Sequence, residues 1–451
     1  MLLKYVVSNY KSIGYPLEFS MFPTSENIDE RLVKTINTKA GNWKVLRRGG
    51  FFGPNASGKT SFVESIYFAR NYIVDGIKSG QGIGIDQFKG DIAELDGKST
   101  FQFMFYLDDE VYEYGFTIDA QQVHEEWLMI LTQKDFQPMF VRQTLEDGLT
   151  QIEIGSKLAR KNSKGRNIAE VLKDGMGQKQ RNQLFLYKLY DYGVKRAETV
   201  VEWFENIQVI FPNTTVQGLP LKMDRDEDFR KFISEGLRRM DTGVTDISVV
   251  SNKMLFSEFI EKFDIPGEII RKIEESGNGI LSVGGKYFIF GEGESRGPVL
   301  IQVKFNHMLN GDCVPFNIDD ESDGTQRLVD LLPMLFTMGR KNQNIYFIDE
   351  IDRSLHTKLS HYLLGEFLRG CGDTCNQMVY TAHDVNLIDL EEFGQDEIWF
   401  VEKDYQGMSH LKPFSDFQIK EGQDALKAYL NGRFGAIPVI KREHYGDHFE
   451  N

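Results

Sequence analysis

Gly53-Pro-Asn-Ala-Ser-Gly-Lys-Thr60 is the stretch on which the reading of this chain turns. It fits the pattern Gly-x-x-x-x-Gly-Lys-Ser/Thr. The apolar run Val45–Phe52 leads into it, and Ser61–Asn71 behind it has the composition of a helix. Strand, glycine-rich loop and helix in that order let a backbone wrap around a polyphosphate. Gly53, Pro54, Asn55, Ala56, Ser57 and Gly58 form the wrap. Its successive N–H groups make an anion nest, helped by the helix N-terminus behind it. Lys59 places a charge on the β- and γ-phosphates, and Thr60 offers its hydroxyl to Mg²⁺. ATP and Mg²⁺ are the expected ligands.

Far along the chain, Asn344-Ile-Tyr-Phe-Ile-Asp349-Glu350 is an apolar strand ending in two carboxylates. At a buried strand tip, Asp349 would hold Mg²⁺ through water and Glu350 would polarise the attacking water. An acidic pair alone is most often a solvated turn; beside a phosphate loop it reads as its partner. Upstream, Glu321-Ser-Asp-Gly-Thr-Gln-Arg327 precedes a helical pattern. Ser322 and Gly324 there make a second anion-binding surface, although simple helix capping accounts for the same residues. Downstream, Thr381-Ala-His383-Asp384 follows the apolar Met378–Tyr380, and His383 stands where a γ-phosphate sensor is expected.

The 451 residues allow one large domain with an insertion or two to three smaller ones. With 41% hydrophobic and 26% charged residues, a sizeable globular core is sustainable. A formal net charge of −15 repels nucleic acid and anionic lipid at long range. The short basic run Lys157, Arg160, Lys161, Lys164 and Arg166 keeps nucleic acid open as a partner. Three cysteines, Cys313, Cys371 and Cys375, are too few for a disulfide framework and suit a reducing cytoplasm. The opening residues lack the apolar core of a signal peptide, and no segment is long and apolar enough to span a bilayer. A cytoplasmic protein without a membrane partner is expected.

Leu2–Val7 and Leu17–Phe19 read as strands about a turn at Asn9–Gly14, and residues 21–42 read as a polar loop. Phe101–Ile118 alternates on either side of Asp108-Asp109-Glu110, a hairpin signal. Arg181–Ile207, Asp226–Met240, Ser257–Glu275, Leu328–Met338 and Leu359–Arg369 read as helices. Gly284–Phe290, Val299–Phe305, Met378–Ala382 and Glu397–Glu402 read as strands. The chemistry sits at the two ends. The expected plan is therefore one α/β nucleotide-binding domain: residues 1–150 an N-terminal lobe, 151–280 a mostly helical insertion, 281–451 a C-terminal lobe.

Phosphate loop, Ser-Asp-Gly-Thr-Gln, Ile-Asp-Glu, Ile-Asp-Arg-Ser-Leu-His and Thr-Ala-His occur in that order. This set resembles the ABC ATPases, in the branch of the SMC, RecF and RecN proteins rather than the membrane transporters. Asn9-Tyr-Lys-Ser-Ile13 is similar to that branch's N-terminal strand and turn. The finish Tyr429-Leu-Asn-Gly-Arg-Phe-Gly-Ala-Ile-Pro438 resembles the bacterial RloA/AbiLi-like ATPases, relatives of the OLD-type proteins of phage defence. The resemblance implies an ABC ATPase head, a P-loop NTPase fold, with a strand-rich N-terminal lobe and a mostly helical insertion. It places Ser61 beside the phosphate loop. It makes Ser322, Asp323 and Gly324 the signature loop, with Asp323 standing where the family has glycine. Asp349 and Glu350 become the Walker B pair, with Asp352 in the loop after it, and His383 the switch histidine. Gln87, in Ile85-Asp-Gln-Phe-Lys89, is its candidate for a glutamine that contacts metal and water. The resemblance also implies ATP hydrolysis and a homo-oligomer of at least two copies, in which one copy's signature loop caps the ATP of another. OLD-type relatives carry a TOPRIM nuclease after the ATPase, for which too few residues follow His383. A separate effector, a nuclease or toxin, is expected in its place. The alternative is an SMC/RecF-like DNA-maintenance ATPase that clamps nucleic acid directly, against which the acidic balance and missing long coiled coils count.

Overall fold

The strand that leads into the phosphate loop is Arg48–Phe52, and it lies inside a six-stranded sheet. The computed structural model describes residues 1–25, 28–90, 96–176, 180–213, 218–263, 265–276, 279–283, 286–290, 298–338, 343–390, 393–417 and 425–437. Across that sheet the order is Ile207–Ile210, Ile345–Ile348, Gln377–Ala382, Arg48–Phe52, Ile398–Lys403 and Ser409–Pro413. The first five strands are parallel, and only the last is antiparallel. Strands buried on both faces carry continuous apolar runs; all four residues of Ile345–Ile348 are buried. Parallel strands end on one edge, so the residues after Phe52, Ile348 and Ala382 emerge side by side. The helix Lys59–Val74 follows the loop and buries Phe62, Val63, Ile66, Ala69 and Ile73, a three-to-four-residue repeat.

A second, antiparallel sheet of seven strands runs Thr150–Ile154, Phe136–Thr144, Val123–Leu131, Glu110–Ile118, Ser99–Leu107, Leu2–Ser8, Leu17–Ser20. The expected Phe101–Ile118 hairpin is present. Its turn residues Asp108 and Asp109 have φ of 51° and 60°, which matches the strand twist in a tight two-residue turn. Trp203, fully buried, stacks on Phe105 with ring centroids 4.1 Å apart.

Arg48 starts the central strand, is buried, and forks onto Glu397 through two contacts of 3.0 Å. The Phe393 ring lies 4.2 Å from its guanidinium. Burial pushes the Glu397 carboxyl up, and Arg48 pulls it back down. Losing one partner leaves the other charge buried alone. Arg48→Met should therefore cost about 3–5 kcal/mol of unfolding free energy, measured by urea titration. A cost below about 1 kcal/mol, the range of exposed pairs, would show that the pair is not a fold determinant.

The chain forms two units: Met1–Phe211 with Lys341–Asp352 and Ser360–Asn451, and Pro212–Arg340 with Arg353–Leu359. Of the sequence-based segments, 1–150 lies within the first unit, whereas 151–280 and 281–451 are each divided between the two. The second unit contains the helices Leu219–Arg225, Glu227–Arg239, Phe256–Phe263, Gly267–Ser276 and Asp323–Met338. Its sheet runs Val244–Lys253, Val299–Leu309, Lys286–Phe290, Gly279–Val283, with Asp312–Phe316 paired to Val299–Leu309. Residues 151–280 are thus largely helical among the described residues, with strands interspersed.

Local expectations fail where tertiary pairing decides. Residues 21–42 are not all loop: Val33–Thr38 pairs with Gly41–Leu46. Arg181–Ile207 is not one helix. It holds Phe185–Asp191 and Lys195–Glu205, separated at Gly193 with φ 74°, and Ile207 opens a strand. Ser257–Glu275 splits at Pro266, which lacks an N–H and cannot continue a helix. Residues 284 and 285 of the expected Gly284–Phe290 strand, and Pro438 of the C-terminal motif, lie outside the described residues. Among the described residues, no helix is long and apolar enough to cross a membrane.

Candidate nucleotide site

The Gly53–Thr60 loop turns with Ala56 at φ 61° and Gly58 at φ 113°. Only glycine reaches the second value without strain. Gly53 passes so close to the next strand that an added Cβ would sit 2.2 Å from the Val401 carbonyl oxygen. The Lys59 ammonium donates to the Gly53 carbonyl at 2.7 Å and to the Pro54 carbonyl at 3.1 Å. Burial pushes its pKa down to about 8, opposed by Asp349, Asp352 and Glu350.

Thr60 Oγ1 donates to Asp349 Oδ2 at 3.0 Å. Thr381 Oγ1 donates to Asp349 Oδ1 at 2.7 Å and accepts the Glu350 backbone N–H at 2.8 Å. One hydroxyl of the neighbouring strand therefore fastens both acids. Burial raises the Asp349 carboxyl, while the Thr381 and Thr60 hydroxyls lower it. Glu350 has φ 48°, a region sparsely populated by residues with a Cβ and common at functional sites. Its Oε1 lies 3.4 Å from His383 Nε2. Asp352 Oδ2 accepts the backbone N–H groups of His383 at 2.8 Å and Asp384 at 2.5 Å. Lys59, Thr60, Asp349, Glu350 and His383 thus gather at the carboxyl ends of adjacent parallel strands, where open α/β sheets take their ligands.

The donor set suits Mg²⁺–triphosphate. Thr60 hydroxyl and Asp349 carboxylate are neighbouring hard oxygens, and Mg²⁺ asks for one or two carboxylates beside phosphate oxygens and water. Ser57 Oγ is buried with no hydrogen-bond partner among the described residues. No group of three or more His, Cys, Asp or Glu gathers in metal-binding geometry among the described residues, a cage Mg²⁺ does not need.

Residues 50–149 and 157–389 match the family described as "AAA domain, putative AbiEii toxin, Type IV TA system". The chain belongs to this family. The match starts just before the phosphate loop and runs past His383, so it spans every residue of the site. The expected α/β P-loop ATPase fold is therefore the observed one. No curated protein matches the chain. Among solved structures it is similar to an SMC head domain from Thermotoga maritima, at 13% identity, over 93% of this chain and 99% of that one, with TM-score 0.35. It is also similar to an SMC head bound to the C-winged helix domain of ScpA, at 13% identity, over 91% and 97% of the chains, with TM-score 0.39.

The other expected site residues of this AAA-domain protein have local neighbours of their own. The Gln87 amide nitrogen donates to the Gly97 carbonyl, and lies 3.4 Å from Ser99 Oγ. Phe88 N–H donates to Asn9 Oδ1 at 3.2 Å. The amide is thus engaged beside the turn after the first strand. Ser61 Oγ lies 3.0 Å from Ser12 Oγ. Ser322 and Gly324 belong to the second unit. There Ser322 Oγ accepts the Thr325 N–H at 3.2 Å, a helix cap. A Cβ on Gly324 would lie 2.8 Å from the Ser354 carbonyl oxygen. The Glu321 carboxylate before them lies 2.7 Å from His307 Nε2.

Sequence reasoning gave Thr381 no role and gave Asp352 only a place. The signal was partly there, in Thr381-Ala-His383. That Thr381 reaches both acids follows only from Ile345–Ile348 lying beside Gln377–Ala382.

Proposed function

We propose that the chain binds Mg²⁺–ATP between Gly53–Thr60 and the Asp349–Glu350 pair and hydrolyses its terminal phosphate. The Thr60–Asp349 hydrogen bond carries this reading: it joins, at 3.0 Å, two groups 289 residues apart in sequence. Lys59 and the loop N–H groups take the phosphates. Thr60 and Asp349 would hold Mg²⁺, which neutralises charge on the phosphate oxygens when bound. Glu350 accepts the proton of the attacking water. His383, held by Asp352 through its backbone, stands beside Glu350 to meet the γ-phosphate. The test is phosphate release from ATP by the purified chain with Mg²⁺ and with excess chelator. Turnover that persists without divalent cation would end the Thr60–Asp349 assignment.

The reading extends to a switch. Triphosphate charge needs donors on both sides, so Ser322 and Gly324 of one copy cap the nucleotide of another, and loss of the γ-phosphate loosens the pair. Support comes from their place at the N-terminus of the Asp323–Met338 helix, an anion-favouring position. Ser322→Arg should abolish ATP-driven assembly while leaving nucleotide affinity within about twofold, as expected for a surface change. Light scattering after size exclusion checks this, and equal masses for parent and variant in ATP would refute the cap.

The biological setting proposed is bacterial anti-phage defence, in the cytoplasm, with the ATP state controlling a separate nuclease or toxin. The family description, which names a toxin, and the RloA/AbiLi-like finish at Tyr429–Ile437 support it. Co-expression with products of adjacent genes, scored for ATP-dependent growth arrest, tests it. Arrest that persists with Lys59→Ala would count against ATP control.

A further inference from the structure

A hydroxyl with no role in the proposed reaction holds the phosphate loop. Ser409 opens the edge strand Ser409–Pro413 and is buried. Its Oγ lies 2.7 Å from the Ser57 carbonyl oxygen and 2.8 Å from Ser12 Oγ. Its backbone N–H donates to the Ser12 carbonyl at 2.8 Å. Ser12 Oγ in turn lies 3.0 Å from Ser61 Oγ. A carbonyl oxygen only accepts, so the single Ser409 hydroxyl proton goes to Ser57. Ser12 Oγ donates its own proton to Ser61 Oγ. The approach is close: a Cβ on Gly58 would sit 2.0 Å from Ser409 Oγ.

In a trans peptide the C=O and the following N–H point opposite ways. Drawing the Ser57 carbonyl to Ser409 aims the Gly58 N–H away from Ser409. Gly58, at φ 113°, imposes little barrier of its own against turning that peptide over. We propose that Ser409 is a positioning residue: it fixes the Ser57–Gly58 peptide so that the Gly58 N–H is presented to a phosphate of the bound nucleotide. The inference rests on the nucleotide-binding reading of Gly53–Thr60.

The test is calorimetric titration of MgADP into the full-length chain, with steady-state ATP kinetics and thermal melting alongside. Ser409→Ala should bind MgADP about tenfold more weakly and raise KM for ATP equally, with kcat changed less than about twofold, the pattern of lost ground-state binding. Ser409→Cys, which is slightly larger and keeps a weak donor, should recover part of the affinity. Ser12→Ala, which leaves the Ser409–Ser57 bond in place, should shift affinity less than about threefold. Hydrogen exchange of the peptide covering Gly58 should be slowed by MgADP in the parent and slowed less in Ser409→Ala. Parent-like affinity in Ser409→Ala, or a lower melting temperature with affinity unchanged, overturns the proposal, provided Lys59→Ala loses binding. Parent-like affinity in Lys59→Ala instead overturns the nucleotide reading, and this inference falls with it.

Discussion

Lys59→Ala should weaken ATP binding by about a hundredfold or more. A hydrogen bond to a charged group contributes about 1.5–3 kcal/mol, and each 1.4 kcal/mol is tenfold in affinity. The upper end applies because Lys59 is buried and its charge is poorly screened. The side chain also has a second signature. Burial holds its pKa near 8. The cation that phosphate needs is complete below that value and is lost as pH rises through it. ATP affinity of the parent should therefore weaken above about pH 8, less steeply once bound phosphate has raised the pKa, and Lys59→Ala should lack that slope. Lys59→Arg should rescue poorly, because a planar fork does not reproduce a compact ammonium. Titration with a slowly hydrolysed ATP analogue across pH 6–9 measures all three proteins. Unchanged affinity in Lys59→Ala would end the phosphate-loop assignment.

Glu350→Gln should keep ATP and stop its hydrolysis. The amide has the shape of the carboxylate but cannot take a proton from water. The backbone N–H bond to Thr381 at 2.8 Å does not involve the side chain, so the strand tip should hold its form. General-base catalysis contributes about 10²–10⁴ in rate, and kcat should fall by that factor. The protein should then retain unhydrolysed ATP and, on the switch reading, stay assembled. Single-turnover measurement with recovery of the bound nucleotide checks the chemistry; light scattering checks the assembly. Parent-like turnover would remove Glu350 from the base role. A chain that hydrolyses hardly at all to begin with would show no change, and would be a scaffold rather than a switch.

The two residues differ in how openly the sequence displayed them. The phosphate loop is contiguous, and its glycine positions, lysine and threonine follow from the shape of a polyphosphate. Asp349-Glu350 was legible because four apolar residues precede it and a phosphate loop elsewhere asks for an acid. The Asp108-Asp109 hairpin was legible for a similar local reason, two aromatic-rich runs about polar turn residues. Residues whose role depends on a neighbouring strand were not legible. Ile207 was read as the end of a helix and Gln208–Ile210 was given no element, because the three apolar residues Ile207, Val209 and Ile210 after a helical run carry no period of their own. The strand state of Ile207–Ile210 comes from pairing with Ile345–Ile348. Val33–Thr38 looked like polar loop until paired with Gly41–Leu46. Gln87 was offered by the resemblance alone, and its amide donates to the Gly97 carbonyl.

By itself the sequence determined the chemistry of each piece: a backbone nest for phosphate, a cation, a hydroxyl, two acids and a histidine. These are local properties, set by side-chain type and short-range backbone geometry. Only the tertiary structure decided that the pieces meet. The parallel order of Ile345–Ile348, Gln377–Ala382 and Arg48–Phe52 brings three strand ends to one edge, and no local pattern encodes strand order. Thr381 between the acids and Asp352 behind His383 owe their positions to that order, and Ser409 behind the phosphate loop owes its place to Ile398–Lys403 pairing with both Arg48–Phe52 and Ser409–Pro413, because a hydrogen bond is fixed by distance in space rather than along the chain.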